Sequence, residues 1–175
     1  NAFALRLLGH GRNVPDGTLI LAESQTAGRG RLGRSWHSEP ESGLYLSMVL
    51  KPVLAPSLAP LFTLGCAVAL HHAVARTTGL DVDIKWPNDL LVGGKKVAGI
   101  LAEIQAEVDR IHYLVVGVGL NVNHAAFPED IRNRATSLYP ASGQSKSSLE
   151  ILLDFLLLFV GFPARFHTPG FPAIV

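Results

Sequence analysis

The sequence has little of several features that define large protein classes, and each shortage narrows what the chain can be. Only one of its 175 residues is a cysteine, Cys66, so the chain cannot form an intramolecular disulfide. This excludes a small disulfide-stabilised secreted fold and suits a reducing compartment. We therefore expect a cytoplasmic protein in which Cys66 is a buried apolar residue rather than a nucleophile.

Charged residues are also scarce, at 17% of the chain, and the formal net charge is +1. A protein whose main task is to coat nucleic acid or an anionic membrane usually carries a much larger positive charge. Hydrophobic residues make up 48% of the chain, which is enough for one domain with a proper core. We expect a single domain over residues 1–175, and its ends at Asn1 and Val175 suggest a piece truncated at both ends.

A long segment without charge, residues 53–75, has to be considered as a membrane span because it contains no Lys, Arg, Asp or Glu. Pro56 and Pro60 interrupt its first third, and His71 and His72 lie near its end. The apolar run that remains is shorter than the roughly 20 residues that a span needs. The segment therefore predicts a buried helix.

Hydrophobic periodicity and turn residues predict three helices and six strands. Predicted helices cover residues 1–8, 60–78 and 149–160, and predicted strands cover residues 18–23, 44–50, 82–86, 90–92, 97–104 and 112–118. Residues 123–143 are expected to be mainly loop. Two long helices and several strands, some paired as hairpins, predict an α+β fold in which helices cover a mixed β-sheet.

The strongest motif is a loop of glycines and arginines at residues 28–34, GRGRLGR, with Gln25 before it and Trp36 after it. Its glycines let backbone N–H groups approach a ligand, and its arginines match phosphate and carboxylate oxygens. Trp36 offers a flat face for stacking on a base such as adenine. The alternative is an exposed basic loop or a nucleic-acid-binding segment, but the strands predicted on both sides favour a ligand loop.

The second motif is Lys85-Trp86-Pro87-Asn88-Asp89, at the end of a strand that is predicted to be buried. A lysine there could neutralise a carboxylate that attacks a phosphate, because a partly desolvated charge acts more strongly than one in water. The alternative is that Lys85 extends into solvent while the residues after Trp86 only form a turn. The sequence leaves the role of Lys85 open and favours the turn for Pro87, Asn88 and Asp89.

Two further glycine-containing segments are weaker signals. Residues 94–101, GKKVAGIL, place two lysines at a hairpin and a glycine in the strand that follows, where a ligand could approach the backbone. Residues 117–121, GVGLN, lack the third glycine and the helix of a dinucleotide-binding motif. The seven histidines show no metal-ligand spacing, so no protein-bound metal is expected.

Taken together and in order, these segments resemble the biotin–protein ligase family. The resemblance runs through residues 23–38, 44–50, 85–91, 96–103 and 115–123, and the arginine-glycine loop combined with the Lys-Trp-Pro-Asn-Asp string is specific. It implies the catalytic-domain fold of biotin and lipoate ligases, which is similar to class II aminoacyl-tRNA synthetases. It also implies an ATP-dependent ligase that activates biotin as biotinyl-5′-AMP and transfers it to a lysine of a biotin carboxyl carrier protein.

The resemblance also implies roles for individual residues. The implied catalytic residues are Lys85 and Arg31. The residues implied in biotin binding are Asn1, Gln25, Arg29, Gly30, Arg31 and Lys85. The residues implied in nucleotide binding are Arg34, Trp36, Lys96 and Asn121. ATP and biotin are the implied substrates, with Mg²⁺ on the ATP phosphates.

The sequence departs from the family pattern at several points. The family commonly has arginine where Leu32 stands, and Ser-Thr before the asparagine that Asn1 matches. An N-terminal helix-turn-helix and a small C-terminal barrel-like domain are not seen in this sequence, so DNA binding by this chain is not expected. Three alternatives stay open: a lipoate–protein ligase, a nucleic-acid-binding module using residues 28–34, and a non-catalytic binder of biotinyl-AMP. A homodimer is compatible with the edge strands of such a sheet.

Overall fold

The structure is a computed structural model that describes residues 1–164, with side chains to residue 161. The end of the expected domain, residues 165–175 with His167, lies outside the described residues. The helices are α1 (Ala2–Gly9), α2 (Ala59–Thr78), α3 (Leu138–Ser142) and α4 (Ser148–Ala164). The strands are β1 (Thr18–Ala22), β2 (Gly43–Leu50), β3 (Asp83–Lys85), β4 (Asp89–Val92), β5 (Lys95–Ala106) and β6 (Ile111–Asn121).

The six strands form one sheet in the order β1-β2-β6-β5-β4-β3, and every neighbouring pair is antiparallel. The α+β class with helices on the sheet is confirmed, but the strands are antiparallel rather than mixed. Strands β3 to β6 follow one another through short turns, and strands joined by tight turns must run in opposite directions. Gly93 and Gly94 make the turn between β4 and β5, both with positive φ. Within residues 1–164 the one parallel pairing is an isolated bridge between Lys96 and Ala135.

One face of the sheet is covered by α2 and α4, which form the main core with it. Strand β6 contributes every second residue to this core, with Leu114, Val116 and Val118 all buried. Leu70 of α2 and Phe155 of α4 are fully buried in the same core. The alternation along the strand and the apolar helices therefore supply the buried layer that the sequence predicted.

Helix α2 contains the segment that raised the question of a membrane span. By length and composition alone, Pro56–Thr78 is the one helix in the described part of the chain that could cross a membrane. One side of α2 is buried against α4 and the sheet, in keeping with the predicted core helix. Cys66 lies on that side with no exposed surface, and burial raises the pKa of its thiol well above the usual range. Burial therefore disfavours the reactive thiolate, in keeping with the expected buried apolar residue.

The opposite face of the sheet carries α1 at one end, where Ala4 packs on Val49 and Val115. Farther along this face, residues that lie directly opposite one another form a row across all six strands. This transverse row consists of Ala22, Tyr45, Gly119, Gly99, Asp89 and Lys85. Two of its central positions are glycines, so the middle of the face has room above it.

The edges of the sheet differ most from the sequence predictions. Strand β1, the strand predicted over residues 18–23, lies at an edge, and only alternate residues are partly covered. Strand β3 is the other edge, and Lys85 at its end is exposed. Residues 123–143 are mainly loop, as expected, with the short helix α3 at their end.

Candidate functional site

The arginine-glycine loop is folded back on itself rather than irregular. The Gly30 N–H donates to the Arg34 carbonyl oxygen at 2.7 Å, and the Trp36 N–H donates to the Gly28 carbonyl oxygen at 2.8 Å. A Cβ at Gly28 would lie 2.4 Å from the Trp36 carbonyl oxygen, so this position accepts no side chain. Leu32 sits at the tip with a φ of 57° and is 90% exposed. The position where the family commonly has arginine thus points away from the site.

Two polar contacts tie this loop to the sheet. Arg29 forms an ion pair with Glu103 of β5 at 3.0 Å. Arg31 donates from Nη1 to Asn88 Oδ1 at 3.0 Å, and Asn88 donates from Nδ2 to the Ile100 carbonyl oxygen at 3.1 Å. Asn88 therefore does more than form a turn, which corrects the interpretation favoured from sequence. It connects the loop, the Lys-Trp-Pro-Asn-Asp string and strand β5.

A cavity of about 500 Å³, the acid cavity, lies between the loop, α1 and the sheet. Its floor and walls include apolar residues such as Ile20, Ala22 and Leu101, and arginines stand at its rim. Five of the six residues implied in biotin binding line it, namely Asn1, Gln25, Arg29, Gly30 and Arg31. The cavity can therefore hold a ligand with an apolar body and an anionic end.

One part of the acid cavity is organised around the Asn1 side chain. Its Nδ2 donates to the Leu101 carbonyl oxygen at 2.9 Å and to Glu103 Oε2 at 2.8 Å. Its Oδ1 accepts from Ser47 Oγ at 2.9 Å. A Cβ at Gly117 would lie 2.4 Å from this Oδ1, so the glycine provides the space for Asn1. The sequence did not single out Ser47 or Glu103, because a polar residue in a strand carries no signal of its partner.

A second cavity of about 590 Å³, the cationic cavity, adjoins the first. All four residues implied in nucleotide binding line it: Arg34, Trp36, Lys96 and Asn121. Lys85 also lines this cavity and does not line the acid cavity. Lys85, which was expected to contact both substrates, thus lies only with the residues implied in nucleotide binding. It is exposed at the end of an edge strand, whereas the sequence predicted a buried strand.

Trp36 and Lys96 line both cavities and form the wall between them. The indole ring packs over two glycines of the transverse row, since a Cβ would lie 2.7 Å from the ring at Gly119 and 3.1 Å at Gly99. Lys96 Nζ lies 5.4 Å from the ring centroid and 2.7 Å from Asp89 Oδ1. The close approach expected at Gly99 is therefore made by these two side chains. The buried Trp36 Nε1 has no partner among residues 1–164, so its N–H can donate to a ligand.

The cationic cavity takes several residues from a segment that the sequence predicted only as loop. Phe127, Asp130 and Arg134 of this segment line it. Asn121, which is buried, donates from Nδ2 to the Thr136 carbonyl oxygen at 3.0 Å and so anchors the segment. The Oδ1 of Asn121 has no partner in the part of the chain that is described, and it can accept from a ligand.

A buried histidine, His124, packs against the same segment. His124 has no exposed surface, and its Nε2 lies 3.2 Å from the Tyr45 hydroxyl oxygen. Its ring stacks on Phe127 with centroids 5.2 Å apart. Burial lowers the pKa of His124, which favours the neutral form of the ring that stacks on Phe127. The described residues contain no group of three or more His, Cys, Asp or Glu side chains that could hold a metal ion.

The fold and the two joined cavities define an α+β domain that can hold two small ligands side by side. The pattern of the Biotin/lipoate A/B protein ligase family matches residues 10–121. The chain is 42% identical to the bifunctional ligase/repressor BirA of Bacillus spizizenii, over 93% of this chain and 50% of that protein. It is 33% identical to the biotin–[acetyl-CoA-carboxylase] ligase of Paracoccus denitrificans, over 99% of this chain and 73% of that protein.

Solved structures give the same result for the fold. The biotin protein ligase of Aquifex aeolicus in complex with biotin and ATP matches with a TM-score of 0.78 and 36% identity, over 93% of this chain and 66% of that chain. The Leishmania major biotin protein ligase in complex with biotinyl-5-AMP matches with a TM-score of 0.73 and 26% identity, over 94% of this chain and 70% of that chain. This chain belongs to the biotin/lipoate A/B protein ligase family, as a catalytic domain of the biotin protein ligase type. It spans about half the length of the Bacillus relatives that it matches.

Proposed function

We propose that this chain is the catalytic part of an ATP-dependent ligase that attaches biotin to a lysine of a biotin carboxyl carrier protein. The observation that carries the proposal is the shared wall of Trp36 and Lys96 between an apolar acid cavity and a cationic cavity. An acid in the first cavity and a nucleotide in the second would meet at this wall. The named activities of the matched relatives support biotin as the acid.

The first step joins the two substrates. A biotin carboxylate oxygen attacks the α-phosphorus of ATP, the bond to the bridging oxygen breaks, and pyrophosphate leaves. Arg29 and Arg31 at the rim of the acid cavity would orient the carboxylate, and Lys85 and Arg34 would offset the phosphate charge. Positioning and charge neutralisation supply most of the catalysis in such transfers.

The second step transfers the acyl group. The neutral amine of the carrier lysine attacks the acyl carbon of biotinyl-5′-AMP, AMP leaves, and the amide nitrogen loses its proton. The mixed anhydride hydrolyses readily, so water has to be kept away from it. We propose that the arginine-glycine loop covers the intermediate until the carrier arrives. The carrier domain would belong to a biotin-dependent carboxylase, and we propose the cytoplasm as the location because the lone thiol suits it.

Mg²⁺ is proposed to enter with ATP. The described residues offer no cluster of acidic side chains or histidines, so phosphate oxygens and water would supply most of its ligands. Asp89 is a poor candidate ligand, because its carboxylate already accepts from Lys96 at 2.7 Å. When bound, the ion would offset charge on the phosphates.

The proposed function is tested by ATP–pyrophosphate exchange with the whole protein, measured with biotin and with lipoate. We expect exchange that depends on biotin and is absent with lipoate. Exchange with lipoate but not with biotin would assign the chain to lipoate ligation. Salt-sensitive binding of oligonucleotides, with no exchange for either acid, would instead support the nucleic-acid-binding alternative.

The loop contact between Arg31 and Asn88 gives a prediction about the intermediate. In Arg31→Gly, the 3.0 Å hydrogen bond to Asn88 is lost, and we expect biotinyl-AMP to leak about tenfold faster. The measurement is a single turnover in which free biotinyl-AMP is separated from the enzyme over time.

The matched control is Leu32→Gly in the same loop. It adds similar backbone freedom, but glycine suits the φ of 57° and the exposed side chain lines neither cavity. Equal leakage from both variants would mean that loop flexibility, and not the Arg31 contact, controls retention.

A further inference from the structure

We propose that Arg134 binds the β- and γ-phosphates of the nucleotide and the pyrophosphate that they become. The inference deepens the proposed function and rests on it for the identity of the ligand. Arg134 is exposed at the cationic cavity and comes from the segment between β6 and α3, which no sequence motif marked. It is therefore a binding residue supplied by the loop rather than by either motif.

The backbone around Arg134 is held in place against the hairpin of β4 and β5. The Arg134 carbonyl oxygen accepts from the Lys96 N–H at 2.8 Å. The Thr136 N–H donates to the Lys96 carbonyl oxygen at 2.9 Å, and Ala135 lies opposite Lys96 in a parallel bridge. The segment thus follows the strand for three residues beside the wall between the cavities. The Arg134 side chain therefore extends from a stretch of backbone that hydrogen bonds hold against the sheet.

The charges around the cationic cavity leave Arg134 available for an anion. Four cationic side chains line the cavity together with two carboxylates: Arg34, Lys85, Lys96, Arg134, Asp89 and Asp130. Lys96 is neutralised by Asp89 at 2.7 Å. Arg34, Lys85 and Arg134 have no ion-pair partner within residues 1–164. Three unpaired cations at one cavity form a site for a ligand with several negative charges.

The cations that line the cavity are connected through contacts with one another's segments. Lys85 lies opposite Asp89, and Asp89 holds Lys96, whose backbone pairs with the Arg134 segment. Arg134 and Lys85 therefore line the same cavity, and the wall of Trp36 and Lys96 separates this cavity from the acid cavity. Guanidinium groups bind phosphate oxygens through paired N–H donors, which suits a diphosphate. The α-phosphate has to lie at the wall to react, so the β- and γ-phosphates extend into the cationic cavity, which Arg134 lines.

The test is the biotin-dependent ATP–pyrophosphate exchange of the whole protein, with KM measured separately for pyrophosphate, ATP and biotin. For Arg134→Ala we expect the KM for pyrophosphate and for ATP to rise about tenfold, with the KM for biotin within about twofold of the unchanged protein. Arg134→Lys should recover part of the loss, because it keeps the charge without the paired donors.

The matched control is Arg132→Ala, two residues away. Arg132 is exposed, pairs with Glu129 at 2.9 Å and does not line either cavity. All three KM values should stay at their original level in this variant. Should Arg134→Ala misfold, as judged from its melting curve, Arg134→Gln serves as the second variant with the same expected rise.

Two results would overturn the assignment of Arg134. One is an unchanged KM for pyrophosphate in a folded Arg134 variant, and the other is a parallel rise in the KM for biotin. If the unchanged protein shows no biotin-dependent exchange, the proposed function fails instead. Calorimetric binding of inorganic pyrophosphate then still tests Arg134: weaker binding by Arg134→Ala supports the site, and equal binding refutes it.

Discussion

Replacing Lys85 with alanine is expected to slow biotin-dependent ATP–pyrophosphate exchange by about 100-fold, the loss typical when one charge that stabilises a transition state is removed. Lys85 lies at the end of β3 and lines the cationic cavity, where its ammonium has no ion-pair partner in the described chain. Negative charge on the phosphate oxygens shifts as the carboxylate attacks, so the lysine matters most during the reaction. The Kd for ATP should change by no more than about threefold.

Lys95→Ala is the matched control for this experiment. Lys95 is also exposed, begins β5 after the Gly93-Gly94 turn, and lines neither cavity. It should exchange pyrophosphate at the original rate. If Lys85→Ala weakens ATP binding as much as it slows exchange, Lys85 is a ground-state binding residue and its catalytic role is refuted.

A methyl group added at Gly119 is expected to reduce kcat/KM for biotin by about 10- to 100-fold through overpacking. The new Cβ would lie 2.7 Å from Cε2 and 3.0 Å from Nε1 of Trp36, and the glycine belongs to a central strand that cannot easily move. The indole must therefore shift, and it forms the wall of both cavities. Steady-state kinetics of Gly119→Ala with biotin and with ATP measure the loss for each substrate.

Gly161→Ala in α4 is the control for adding a methyl group elsewhere. A Cβ there meets nothing within 4 Å, so kinetics should be unchanged. A double-mutant cycle makes the cause specific, because Gly119→Ala should cost little more in a Trp36→Ala background, where the ring is absent. Additive losses in the cycle would show that Gly119 acts on something other than Trp36.

Several elements could be predicted from sequence because their signals are local. Helix α2 follows from an apolar run that ends at Gly79, which has the left-handed conformation that suits glycine. Strand β2 follows from the apolar segment LYLSMVL. The Gly93-Gly94 turn follows from glycine's freedom at positive φ. Periodicity and turn chemistry act over a few residues, so one sequence is enough to read them.

The rest of the site depends on contacts between residues far apart in the chain. Glu103 pairs with Arg29, which lies 74 residues away in the chain, and Asn88 accepts a hydrogen bond from Arg31, which lies 57 residues away. Neither Glu103 nor Asn88 has a local pattern that indicates its partner. Lys85 was placed on a buried strand from its apolar neighbours, but burial of a strand depends on its place in the sheet, and β3 lies at the edge. Arg134 sits in a loop that β5 orders through backbone hydrogen bonds, which side-chain patterns do not reveal.

Under the proposed function, the transverse row gives the protein a way to discriminate acids by length. It runs from Ala22 in the acid cavity to Lys85 in the cationic cavity over five strand spacings of about 4.8 Å, or roughly 24 Å. Hydrogen bonds between the strands fix that span, so the distance between the two ends of the row stays constant. Under the proposed function, a homologous acid with a shorter tail, seated at the Ala22 end, would fill its place in the acid cavity but hold its carboxylate short of the nucleotide. Such a compound should behave as a competitive inhibitor rather than as a substrate.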